Sequence, residues 1–165
     1  MQWNALVPEL LVVDYPAAKA FYREVFGFQL RFERAEDRFG YFEREGAQLM
    51  LLQAPGAVSC GLDQPGPKGK GLHFQVEVAA LDELLARLEA ADIELTTAVS
   101  DFWYRVDEIE HGQREFFVAD LDGYLFRFFQ HLGERPARGG NSSEVLAASV
   151  PSAQEASVCP SSAPG

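Results

Sequence analysis

Sulfur, imidazole and positive charge are scarce in this chain, and each scarcity removes a class of function. Cys60 and Cys159 are the two cysteines of 165 residues. Far apart in sequence, they make neither a disulfide framework nor a cysteine zinc site. The three histidines, His73, His111 and His131, fall on no metal-ligand spacing, and the last two are expected on the surface. Lys and Arg number 14 against 25 Asp and Glu, a formal net charge of -11, and residues 1–131 hold 22 of the acids and 12 of the bases. An acidic body repels phosphate backbones and anionic membranes, which argues against nucleic acid and for a cationic or neutral small molecule as partner. No apolar run reaches the roughly 18–20 residues of a membrane span. MQWNALVPELLVVDY carries no basic segment or cleavage signal, so a cytoplasmic protein is expected. GPKGKG lacks the Gly-Lys-Ser/Thr ending of a phosphate loop and reads as linker. Aromatics are absent after His131, where Gly, Ser, Pro and Ala dominate. Residues 132–165 are therefore expected to form a flexible low-complexity tail.

Hydrophobic residues are plentiful, at 47% of the chain with 12% aromatic, enough for a substantial core. They fall into two similar halves, 1–53 and 72–131, on either side of the Gly/Pro-rich connector 54–71. The first half opens with the apolar strand ALVPELLVV. Asp14 then offers an N-cap, Pro16 sits in the first turn, and AAKAFYREVFG reads as a helix closed by Gly27. Strands are expected near 28–34, 38–45 and 47–53. The second half repeats the order: strand GLHFQVEVA, helix LDELLARLEAAD, then strands near 93–99, 113–119 and 124–131. Each half reads βαβββ. One such sheet covered by one helix leaves a face bare, and two can curl around a shared cup. The fold class expected is α+β, two βαβββ modules forming a cupped mixed sheet.

Side-chain alternation sorts each strand into two faces. In LHFQVEV, Phe74, Val76 and Val78 meet the helix, which turns His73, Gln75 and Glu77 into the cup. In YLFRFFQ, Phe126 and Phe128 lie under the helix, leaving Leu125, Arg127 and Phe129 inside. With LDG as a three-residue turn, Phe117 stands opposite Arg127, and Glu115 joins it on the cup face. Val7, Glu9 and Leu11 face inward from the first strand.

The pieces VVDYPAAKAFYREVFGF and FFVADLDGYLFRFF, set in a doubled βαβββ order over residues 4–131, resemble the vicinal oxygen chelate superfamily. That superfamily includes glyoxalase I, extradiol dioxygenases, fosfomycin resistance enzymes and bleomycin resistance proteins. Its metal enzymes place ligands at inward positions that correspond here to Val7, Met50, His73 and Arg127. Isopropyl and guanidinium groups bind no cation, so the resemblance implies no metal and no other cofactor at that place. DLDGYLFRFFQ is most similar to the hairpin of the bleomycin resistance proteins. VPELLVVDY resembles their first strand, where a proline like Pro8 marks the hinge of an arm exchanged between subunits. The resemblance thus implies a domain-swapped homodimer that sequesters a cationic, partly planar antibiotic without changing it. The alternatives are a metal-dependent lyase or dioxygenase of the same superfamily, with His73 as ligand or acid–base group, and a binder of an unrelated metabolite.

The residues expected at a ligand are Phe39, Tyr41, His73, Trp103, Asp107, Glu110, Glu115, Phe117 and Arg127. Arg127 is also open to a structural role, held by Glu115 or Glu9, since an unpaired buried charge is costly. Trp103 is equally open to packing beneath a loop, and Asp107, Glu108 and Glu110 to a solvated acidic face. The tryptophan that some family members place before Arg-Glu-Phe is missing: His111, Gly112 and Gln113 precede Arg114, Glu115 and Phe116.

Overall fold

The computed structural model describes residues 2–53 and 68–137. In the first half, β1 (Glu9–Leu11), α1 (Tyr15–Glu24), β2 (Gln29–Arg34), β3 (Phe39–Arg44) and β4 (Ala47–Leu52) follow one another. A short 3-10 turn, Ala35–Asp37, lies between β2 and β3. The second half supplies β5 (Phe74–Glu77), α2 (Leu81–Ala90), β6 (Ser100–Val106), β7 (Ile109–Ala119) and β8 (Leu125–Pro136). The sheets are ordered β1-β4-β3-β2 and β5-β8-β7-β6, so both halves are βαβββ with one parallel pair each. The connector expected at 54–71 lies mostly outside the described residues.

Helix α1 begins where the sequence says it can: the Asp14 side chain accepts a hydrogen bond from Ala17 N at 3.1 Å, and Pro16 stands in the first turn. Gly27, at φ +72°, turns the chain out of it. Helix α2 buries Leu81, Leu84 and Leu88 on one stripe. Tyr22, Phe26, Phe28 and Phe42 of the first half and Phe116, Phe126 and Phe128 of the second form one continuous core, with Phe26 ring centroids 5.2 and 5.1 Å from Phe126 and Phe128. At about 25 cal/mol per Å² of apolar area, rings of this size dominate the energy joining the halves.

The hairpin between β7 and β8 adds a polar clasp. Asp120 is buried; one carboxylate oxygen accepts from the backbone N–H of Asp122 and Tyr124, and the other from the Tyr22 hydroxyl at 2.6 Å. The Asp122 carboxylate accepts from Val13 N, and the Tyr124 hydroxyl both accepts from Leu11 N and donates to Leu11 O. The Asp-Leu-Asp-Gly turn of the second half thereby holds the first strand and first helix.

Two expectations are corrected. The strand expected at 93–99 is an irregular segment whose Ile93 and Leu95 pack on the core, and the strand is instead β6, Ser100–Val106. Its register, Val106↔Ile109, closes a two-residue turn of Asp107 and Glu108, with Asp107 at φ +54°. Strand β8 also runs beyond His131 to Pro136, so Leu132–Pro136 belong to the sheet and not to a tail. Residues 138–165 lie outside the described residues.

Candidate functional site

Strand register places Gln75, Glu77, Phe102, Tyr104, Glu115, Phe117, Arg127 and Phe129 on the face of the second sheet turned away from the core. Arg127 lies at its middle, directly opposite Phe117. Its guanidinium Nη2 donates to Glu115 Oε2 and to the Tyr104 hydroxyl, which itself donates to Glu115 Oε1 at 3.0 Å. The guanidinium lies 4.9 Å from the Tyr104 ring centroid and 5.8 Å from that of Phe117. Glu115 is 4% exposed and the Arg127 side chain 14%. Arg127 Nε is buried with no partner among the described residues. Burial pushes the Tyr104 hydroxyl up to about 12, with Glu115 adding to the rise and Arg127 opposing it. The three groups form a closed triangle whose net charge is zero.

His73, just before β5, is exposed and meets the Phe117 ring edge-on at 5.2 Å. It also lines a cavity of about 350 Å³ at the seam between the halves, with Asn4, Leu6, Pro8, Phe74 and Gln75. On the first sheet the corresponding face carries Phe32, Phe39 and Tyr41, with Phe32 stacked on Tyr41 at 5.4 Å. The N-terminal arm folds back over these rings. Gln48 accepts from Asn4 N and donates to Gln2 O, both at 2.8 Å, while Asn4 Nδ2 donates to Gly46 O. Trp3 is thereby set edge-on against Tyr41 at 4.6 Å, and remains 56% exposed.

A family model described as the Glyoxalase/Bleomycin resistance protein/Dioxygenase superfamily matches residues 5–128. The chain belongs to this superfamily. No curated protein matches it. Among solved structures, a glyoxalase/bleomycin resistance protein/dioxygenase superfamily member from Vibrio splendidus 12B01 is 33% identical, covering 76% of this chain and 97% of that one, at a TM-score of 0.35. TioX from Micromonospora sp. ML1 is 26% identical over 78% of this chain and 100% of its own, at 0.57. The fosfomycin resistance protein FosX from Listeria monocytogenes shares the fold at 18% identity, covering 81% and 94%, with a TM-score of 0.54.

At the positions that the resemblance assigns to metal ligands, Val7, Met50, His73 and Arg127, the imidazole alone is a ready donor for a divalent ion, a donor set that does not fit one. The carboxylate beside them, Glu115, is committed to Arg127 and Tyr104.

The nine residues expected at a ligand separate into four groups. His73, Glu115, Phe117 and Arg127 come together on one face. Phe39 and Tyr41 share the other sheet's cup side, where both are buried, Tyr41 beneath Trp3 and Phe39 beneath the Arg34 guanidinium at 3.9 Å. Trp103 and Glu110 point to the opposite side from Tyr104: Trp103 lies over Gly112 with the Arg135 guanidinium 3.8 Å from its centroid, and Glu110 accepts from Arg135 Nε at 2.6 Å. Asp107 occupies the exposed β6–β7 turn. Two residues outside that set complete the geometry. Tyr104 becomes a partner of Arg127 once β6 is placed at 100–106. Trp3 has no sequence signal, because nothing in MQWN shows that the arm turns back.

Proposed function

We propose that this protein is a homodimeric binding protein of the bleomycin-resistance type, which sequesters a cationic, partly planar small molecule without a metal. The observation that carries the reading is the buried pairing of the Arg127 guanidinium with Glu115, at the place where the resemblance puts the metal enzymes' glutamate. The floor of the cup is thus polar, fixed and discharged. Glu9 and Glu77, on the same side of their sheets, are exposed and form no ion pair among the described residues. A cationic ligand meets their uncompensated charge, and the rings of Trp3, Phe102 and Phe117 offer flat surfaces to its planar part. Trp3 supplies the stacking ring that the sequence before Arg114 lacks. Trp103 and Glu110 play no part in this contact.

Open faces on both sheets support a second copy as the cover of the cleft. Leu6, 84% exposed, lies in the segment ahead of Pro8. The arm's bonds to Gly46 and Gln48 are made within the chain, and exchange between two copies would preserve every one of them. A metal-dependent lyase or dioxygenase would need donors that Val7, Met50 and Arg127 do not supply.

The test is calorimetric titration of chelator-treated protein with metal-free bleomycin, with tryptophan fluorescence followed in parallel. Saturable binding of one drug per subunit with Kd of about 1 µM or tighter is expected. The fluorescence change is expected to vanish in Trp3→Phe and persist in Trp103→Phe, and Glu77→Gln is expected to weaken binding and flatten its salt dependence. Absence of binding removes the drug assignment; binding only after a metal is restored overturns the metal-independent reading.

A further inference from the structure

Beyond the Arg127 cluster, on the same face of the second sheet, the strand pairing assembles three metal-binding side chains that sequence spacing keeps apart. His111 lies on β7, directly opposite Glu134 of β8, while His131 of β8 pairs with Gln113. The device that unites them is a bulge. Gly112 pairs with Gly133 and Gln113 with His131, which leaves Leu132 as an extra, unpaired residue in β8. In a regular strand, residues three apart point to opposite faces; the one-residue bulge restores His131 and Glu134 to the same face. Gly133 has φ +112°, a conformation open essentially to glycine alone, so the bulge is fixed at this position.

One donor atom from each of His111, His131 and Glu134 lies within 4.8 Å of the other two. His111 Nδ1 and Glu134 Oε1 are 3.4 Å apart. A tetrahedral ion with bonds of about 2.0–2.1 Å holds its donors roughly 3.4 Å apart. That pair is therefore already at coordination spacing, and the third residue, His131, is exposed with a ring nitrogen within 4.8 Å of a donor of each of the other two. Two imidazoles and a carboxylate suit a borderline divalent ion of the Zn²⁺ class and not Mg²⁺ or Ca²⁺.

We propose that His111, His131 and Glu134 form a binding site for a divalent transition-metal ion such as Zn²⁺, separate from the superfamily's own metal position. Three protein donors leave at least one position of a four-coordinate ion free. His111 is the cross-strand neighbour of Tyr104, so the ion lies at the edge of the ligand-binding face, where the free position can take an oxygen or nitrogen atom from a bound molecule.

The test needs no drug and is independent of the binding function proposed above. Chelator-treated full-length protein is titrated with Co²⁺, followed by visible d–d absorption, and Zn²⁺ is then added in competition. One ion per chain is expected, with Kd of about 10 µM or tighter. His111→Ala, His131→Ala and Glu134→Gln are each expected to weaken binding at least about tenfold. His73→Ala, the remaining histidine, is expected to leave it unchanged. Far-UV circular dichroism checks that the variants fold, and Glu134→Gln, nearly isosteric at an exposed position, keeps the test decisive if a histidine variant does not. No saturable binding overturns the proposal. So does binding lost with His73→Ala, or a near-UV thiolate-to-cobalt band abolished when Cys60 and Cys159 are changed to serine.

Discussion

Removing the Arg127 guanidinium while keeping Glu115 leaves a carboxylate 4% exposed on a sheet face lined with aromatic rings. Breaking a buried pair by deleting one partner costs about 3–5 kcal/mol. Arg127 keeps 14% of its side chain in solvent, which moderates the cost, so Arg127→Met is expected to lose somewhat less, about 2–4 kcal/mol. The double variant Arg127→Met/Glu115→Leu strands no charge and is expected to be more stable than Arg127→Met alone. Urea unfolding at pH 7 measures all three proteins and Glu115→Leu, and closes the cycle, with a coupling energy of about 2 kcal/mol or more expected. A coupling below about 1 kcal/mol, the range of exposed pairs, would refute the idea that the triangle is a buried, interdependent unit.

Burial holds the Asp120 carboxyl above its usual range, although its bonds from Tyr22, Tyr124 and Asp122 work the other way. The folded state thus holds this proton more tightly than the unfolded chain. Its contribution is full below the unfolded value, about 3.9, and is lost as the pH rises through the folded one. Asp120→Asn should remove that component, and a wild-type-minus-variant stability difference that is constant between pH 3.5 and 7 would contradict it. A methyl group at Gly40 would lie 2.8 Å from Phe42 Cε2 and 3.1 Å from Leu30 Cδ1, so Gly40→Ala is expected to cost about 1–3 kcal/mol; an unchanged thermal midpoint would count against this packing. Truncation after residue 131 deletes the β8 residues paired with Ile109, Glu110, His111 and Gly112, whereas truncation after 137 spares them. The shorter chain is expected to lose about 2–4 kcal/mol relative to the longer, and equal urea midpoints would place residues 132–136 outside the stable sheet.

Much of the architecture was legible because the hydrophobic pattern is consistent with it at every level. The doubled βαβββ order, the Asp14 cap, the inward set on β5 and the Phe117↔Arg127 register all follow from alternation and turn chemistry. Strand β6 was missed for a physical reason. Ile93 and Leu95 alternate and pack on the core, imitating a strand, while the true hairpin turns on Asp107 and Glu108 without the Asn-Gly or Asp-Gly pair that usually marks one. Without a strand at 100–106 there was no parity by which to pair Tyr104 with Arg127 or to sort Trp103 from it. The cluster of His111, His131 and Glu134 was hidden by parity itself, since strict alternation places residues 131 and 134 on opposite faces. The position of Trp3 depends on Gln48 and Asn4, a contact between distant segments that no local pattern encodes.

The clasp formed by Asp120, Asp122 and Tyr124 has a consequence for the order of events during synthesis. Strand β1 and helix α1 are made before the other elements of the fold, yet the groups that hold Leu11, Val13 and Tyr22 arrive 113, 109 and 98 residues later. At roughly 5–20 residues per second, several seconds pass in which the opening segment of a nascent chain has no clasp. For the exchange between copies proposed above, on a polysome where neighbouring chains emerge side by side, that interval is the time in which one chain's first strand could meet another chain's sheet. Under that proposal the latest residues of the folded part set how long the earlier ones stay open.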